Sequence, residues 1–147
     1  MGLPERLVGM RHLRLARLAV IPLNLSIPAE VRIGEDLKLM HYGFGTVIYP
    51  EVTIGNRVRI YHQVTIGRQD AHLQRKDSPF GHLEIGDDVV LFPGCKVLGG
   101  AGITRIANGT IVGANSVLLN STGENEIWAG IPARRVGYRD DLITPQN

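Results

Sequence analysis

Aliphatic residues recur along this chain at every sixth position, a period that few folds can satisfy. Stepping by six from Ile27 reaches Ile33 and Leu39; after three extra residues the series resumes at Ile48, Ile54, Ile60 and Ile66. Beyond a longer interruption it runs Ile85, Leu91 and Val97, slips by three again, and continues Ile106, Val112 and Leu118. All thirteen positions hold Ile, Leu or Val, three residue types that supply only 43 of the 147 residues. The position four residues after each is mostly small or β-branched: Val31, Val52, Val58, Val64, Val89, Cys95, Ala101, Thr110, Ser116 and Thr122, with Leu37, Gly43 and Asp70 as exceptions. An amphipathic helix would repeat at about 3.6 residues and a half-buried strand at 2. A period of six describes short flat strands joined by tight turns. Three such sides close a coil of about 18 residues, and each coil buries its aliphatic residues only by stacking on the next. Gly often follows the ladder residue, at 34, 55, 67, 86 and 113, where a turn with positive φ is expected.

Composition agrees. Aromatic residues make up only 5%, so the core must be filled by Ile, Val, Leu and small residues, which suits thin stacked β layers. A net charge of +2 gives no reason to expect nucleic acid. The single cysteine, Cys95, excludes an intrachain disulfide and points to a reducing, cytoplasmic compartment. No apolar run reaches about 18 residues, so no membrane span is expected.

The chain reads as one domain, 1–147. A helix is expected over 3–21, with Leu7, Met10, Leu18 and Ile21 on one face and Arg6, Arg11, Arg14 and Arg17 as polar ground. It is read as a cap on the first coil in preference to a membrane-surface anchor, and no membrane association is expected. Coils occupy 27–123, broken by a polar loop at 68–82 that carries Arg68, His72, Arg75 and Lys76 and is read as a flap over the active site. Within the C-terminal segment 124–147, the stretch Ile127–Gly137 leaves the repeat, and the chain frays from Asp140 to Asn147.

Three features together resemble the hexapeptide-repeat acyltransferases, most closely their serine acetyltransferase-like branch. These are the ladder itself; His41-Tyr-Gly-Phe-Gly-Thr-Val-Ile followed by Ile60-Tyr-His-Gln-Val-Thr-Ile-Gly67; and Gly130-Ile-Pro-Ala-Arg-Arg-Val-Gly137. The resemblance spans about 24–138. It implies a mainly β fold, a left-handed parallel β-helix, assembled as a homotrimer with acetyl-CoA lying along the groove between neighbouring prisms.

The same resemblance implies the chemistry. A base must take a proton from the acceptor while an oxyanion donor steadies the tetrahedral intermediate, and an imidazole titrates near working pH. His41 matches the family's catalytic histidine. His82 matches a histidine that follows the loop and faces the acceptor from the neighbouring subunit. His62 is read as pointing outward toward the same groove, whereas His12 and His72 are assigned no role. Cofactor positions carried over are Gly67, Arg68, Pro93 and Ala114, with Arg134 and Arg135 as candidates for the CoA phosphates. Cys95 is read as inert packing and Trp128 as packing over the last coil. The histidine spacing and the lone thiol give no metal-ligand pattern.

Three departures from the family pattern bear on the acceptor. The aspartate that orients the histidine falls on Ser26, the acidic residue before the histidine on Met40, and the arginine before the second histidine on Gly81. A backbone carbonyl, Ser26 or Glu51 is expected to orient His41 instead. The reading is therefore an acetyl-CoA-dependent acetyltransferase acting on a hydroxyl of a sugar, nucleotide-sugar or similar small acceptor. Serine O-acetyltransferase and a non-catalytic trimeric scaffold are the alternatives.

Overall fold

The computed structural model describes residues 2–19 and 21–141. Its body is a left-handed parallel β-helix of four coils. The first coil holds β1 (Arg32–Ile33), β2 (Lys38–Leu39) and β3 (Val47–Ile48). The second holds β4 (Val52–Ile54), β5 (Arg59–Ile60) and β6 (Thr65–Arg68). The third holds β7 (Phe80–Ile85), β8 (Val90–Leu91) and β9 (Lys96–Gly99). The fourth holds β10 (Gly102–Ile106), β11 (Ile111–Val112) and β12 (Val117–Leu118). Like strands stack in parallel register to make three faces: β1-β4-β7-β10, β2-β5-β8-β11 and β3-β6-β9-β12.

Register explains the period. Ile54 pairs with Ile85, Ile60 with Leu91 and Ile66 with Val97, so identical positions lie directly above one another. Twelve of the thirteen ladder residues are buried, each contributing about 1.5–3 kcal/mol of apolar transfer as an upper figure. Ile33 is half-buried because β1 is the edge strand of its face. Ala101 is exposed, contrary to its inward assignment. It sits in the three-residue slip, and the inward position of that coil passes to buried Thr104, which pairs with Leu83 of the coil below.

The glycines after ladder residues serve a different purpose from the one expected. None of the five has a positive φ. At the corner between the first and second faces, a Cβ on Gly55 would stand 2.5 Å from Asp87 Oδ1 and 2.8 Å from the Gly86 carbonyl carbon. What Gly supplies is close approach of one coil to the next. That approach lets a side-chain column bond along the corner: Glu35 N–H donates to Asn56 Oδ1, Asn56 N–H to Asp87 Oδ1, and Asp87 N–H to Asn108 Oδ1, each at 2.8 Å. The bond from the Asn56 backbone, foremost, holds the Asp87 carboxyl below the usual aspartate range. The left-handed residues lie further on in the turn, at Asp36, Arg57, Asp88 and Gly109.

Both ends of the solenoid are covered. The expected helix over 3–21 is two short helices, α1 (Leu3–Gly9) and α2 (Arg14–Ala19), parted where Arg11 folds back. The Arg11 guanidinium donates to the carbonyls of Val8, Pro28 and Val31, which closes α1 and ties it to the first coil. Val8 and Ala16 are buried, so the cap reading holds, but Met10 and Ile21 are exposed, not part of a shared buried face. Glu5 Oε1 accepts the Leu39 N–H at 2.8 Å, at the edge of the second face. The side chain of Leu18 lies outside the described residues.

At the other end β13 (Glu126–Gly130) does not leave the repeat: it stacks in parallel on β11. The chain then reverses, and β14 (Ala133–Tyr138) pairs antiparallel with β13. Trp128 is half-buried against the core and donates to Glu126 at 2.8 Å. Arg139 is buried and bonds the Asp88 carbonyl at 2.8 Å and Asp141 at 2.6 Å, so the chain is pinned through Asp141. The remainder of the expected frayed tail, 142–147, lies outside the described residues.

Replacing Gly55 by Ala is expected to lower stability by about 1–3 kcal/mol, because the new methyl meets backbone that cannot yield. Gly9→Ala, where nothing lies within 4 Å, should stay within about 0.5 kcal/mol of the parent. Urea unfolding of both variants checks this, and a Gly55→Ala protein as stable as the parent would refute the close-stacking account.

Candidate active site

The three motifs that carry the resemblance meet on one edge of the prism. Leu39, Ile60, Leu91, Val112 and Trp128 share one register across the second face. Two residues further along, the chain turns toward the third face at His41, His62, Pro93 and Ala114, and reverses at Gly130. Backbone bonds from Gly94 to the His62 carbonyl and from Asn115 to the Pro93 carbonyl continue the stack around this corner. Four spacings of about 4.8 Å separate the first level from the last. The edge is therefore a track of about 19 Å, with histidine at one end and Arg134 just beyond the other.

His41 is displayed by the first slip in the ladder. The corner in the first coil is three residues longer than in the next, and the extra length bulges outward as a short 3₁₀ turn over Met40–Gly43. His41 and Tyr42 have φ of 52° and 62°, followed by Gly43 at 64° and Gly45 at 70°. Left-handed backbone at two successive non-glycine residues is uncommon, and it projects the imidazole from the corner. The ring lies edge-on to His62, with centroids 5.3 Å apart at 85°, and 5.9 Å from the Tyr61 ring. Tyr61 in turn stacks on Phe92 at 5.2 Å and 6°. Sequence reasoning missed this aromatic shelf. Its signal was available, since Tyr61 and Phe92 each follow a ladder residue directly.

The structure brings His41 and His62 together and aligns Pro93 and Ala114 with them. It does not bring His82 to them within one chain. His82 lies on β7 of the first face, and its Nε2 is 2.8 Å from Thr53 Oγ1. His12 and His72 are exposed. Neither side chain expected to orient His41 reaches it. Ser26 bridges Val47 on the third face, and Glu51 is held by Arg75 at 2.7 Å. Among the described residues no hydrogen bond to the His41 ring is made.

The carried-over cofactor positions divide. Half-buried Pro93 and exposed Ala114 offer a nearly bare backbone corner. Gly67 is buried, with the Tyr49 ring 3.0 Å from where its Cβ would stand. Arg68 is 10% exposed and engaged with Asp70 at 3.2 Å and the Leu73 carbonyl at 2.8 Å, which removes it as a free phosphate ligand. Arg134 is exposed and, among the described residues, bonds only the neighbouring Ala133 carbonyl. Arg135 lies over the Tyr138 ring at 4.8 Å and 3.7 Å from Glu126.

The loop is shorter and firmer than expected. It spans 69–79, because Gly81 and His82 belong to β7. Ser78 donates to Asp70 at 2.6 Å, and Gln69 donates to the Leu98 and Leu119 carbonyls at 2.9 and 2.8 Å. The Ser78 hydrogen bond, chiefly, and then Arg68 hold the Asp70 carboxyl below its ordinary range. The loop leaves the corner between the third and first faces, so within one chain it does not cover His41.

No protein-family model matches the chain. Sequence relatives do. It is 37% identical to a serine acetyltransferase of Staphylococcus aureus strain Mu50 over 113 residues, 77% of this chain and 49% of the relative. It is 37% identical to that of Staphylococcus xylosus over 125 residues, 80% and 54% respectively. Among solved structures, a serine acetyltransferase from Vibrio cholerae O1 biovar El Tor superposes with a TM-score of 0.71 at 25% identity, over 98% of this chain and 52% of that one. A serine acetyltransferase in complex with CoA gives 0.68 at 26% identity, over 90% and 52%. The chain spans about half the length of the curated relatives it matches.

Coils, hand and corner together define a hexapeptide-repeat β-helix. With these relatives, the chain belongs to the hexapeptide-repeat acyltransferases and groups with their serine acetyltransferase branch.

Cys95 is fully buried in the inward column, and burial pushes its thiol up to about 12. A disulfide-exchange reagent at pH 8 is expected to label it only after denaturant is added. Rapid labelling of the native protein would mean that the third coil opens.

Proposed function

We propose that the chain is an acetyl-CoA-dependent O-acetyltransferase with His41 as general base and serine as the acceptor to test first. The observation that carries this reading is the outward imidazole of His41, held by a left-handed corner bulge at the end of a bare backbone track. Relatives named serine acetyltransferases favour the amino acid over the sugar hydroxyl that the departures at Ser26, Met40 and Gly81 suggested.

In this reading His41 takes the proton of the acceptor hydroxyl as that oxygen attacks the acetyl carbonyl. Acetyl-CoA supplies the acetyl group as a thioester. Collapse of the tetrahedral adduct breaks the carbon–sulfur bond, and His41 returns the proton to the sulfur. Pro93 and Ala114 line the donor's path, and Arg134 meets its phosphates. Position 81 has no room for an arginine: a Cβ there would stand 2.8 Å from the Gly102 carbonyl oxygen. Arg75 from the loop brings a guanidinium within 3.5 Å of the Gly81 carbonyl, beside His82, and is the candidate to meet the acceptor's carboxylate. Since His82 and Arg75 sit on another face from His41, a complete site requires two copies, as in a homotrimer. A reducing cytoplasm suits the single buried thiol.

Thiol release from acetyl-CoA, measured with serine, simple sugars and nucleotide-sugars in turn, tests the activity and the acceptor. Acceptor-dependent release is expected, falling about 100-fold in His41→Ala with circular dichroism unchanged. Absence of release with every acceptor favours the scaffold reading, and an unchanged rate in His41→Ala removes it as the base. Co-expressed His41→Ala and His82→Ala chains should regain activity that neither shows alone if the site is shared between copies.

A further inference from the structure

We infer that the N-terminal cap is also a docking surface for an anionic lipid membrane. The two helices use one side to cover the first coil, burying Pro4, Val8 and Ala16. Their other side stays apolar and open: Leu15 is 80% exposed, Leu3 68%, Ile21 64% and Leu13 50%. A cap that served only to close the solenoid would not need leucine at these positions.

Charge identifies the occupant. Residues 1–21 carry four arginines against one glutamate, a net of +3, in a chain whose total is +2. The excess positive charge is therefore concentrated in this segment, and the remainder is slightly acidic. Arg11 is consumed by backbone carbonyls, and Glu5 is partly engaged with the Leu39 N–H. Arg6 is exposed beside the leucines, and Arg14 and Arg17 lie on α2. A second copy docked through the same face would set arginine against arginine. A bilayer carrying anionic headgroups accepts both features at once, with leucines at the acyl boundary and guanidinium groups on phosphates. Among the described residues no helix is long and apolar enough to cross a membrane, so the contact is peripheral. This inference does not rest on the acetyltransferase reading.

Sedimentation of the full chain with phosphatidylcholine vesicles, with or without phosphatidylglycerol, tests it. Partitioning is expected to rise about 100-fold with the anionic lipid, given the segment's net positive charge, and to fall back in high salt. Leu13→Glu/Leu15→Glu should abolish vesicle binding, and because both side chains are exposed, circular dichroism should not change. Equal or absent binding to both vesicle types overturns the proposal, as does binding that survives the double substitution. A doubling of mass in solution that the double substitution removes, without vesicle binding, would assign the face to a second copy instead.

Discussion

Backbone hydrogen bonding between successive coils holds each turn of the chain about 4.8 Å above the last. At that spacing every interior side chain rests on the equivalent one in the next coil, so the column through Ile54, Ile85 and Ile106 must be uniformly aliphatic and of similar size. Volume cannot be traded between neighbours as it can in a sandwich core. The faces are equally constrained, because adding a residue to a strand would break register on both sides. Freedom remains only at the corners. All three interruptions of the ladder fall there, and so do His41, His62, Pro93 and Ala114.

The same constraint accounts for the geometry around His41. A flat face cannot raise one side chain above its neighbours, but a corner lengthened by three residues can. The left-handed backbone at His41 and Tyr42 is the local cost of that bulge, and it is met where Gly43 and Gly45 follow. Below the bulge the corner returns to minimal turns, with His62 at the next level and the compact Pro93-Gly94 and Ala114 beyond it up to the Gly130 turn. His41 and Gly130, far apart in sequence, thus become the first and last levels of one groove.

Much of this was legible beforehand because the repeat is periodic and local. The ladder positions, the inward Cys95 and the slip at His41 could all be read from spacing. What was hidden depends on contacts between coils, which a single period does not encode. Gly55 reads as a turn glycine, yet it is small because Asp87 stacks on it. Arg68 reads as a basic residue on a polar loop, but Asp70 and the Leu73 carbonyl hold it inside. Residues 126–130 look like an exit from the repeat because their aliphatic spacing is lost, whereas their backbone still stacks on β11. His82 could be placed after the loop but not on a face, since its face depends on where β7 begins.

The reversed strand at the end of the second face changes what that edge offers to another chain. A stack of identical parallel coils has no intrinsic stopping point, and an open last strand would template another molecule. Here β14 presents that edge running the opposite way, while Glu5 occupies an amide of the first strand at the far end. On this face the outermost strand at one end runs against the stack and an amide at the other is already bonded, so another parallel coil finds no matching edge at either.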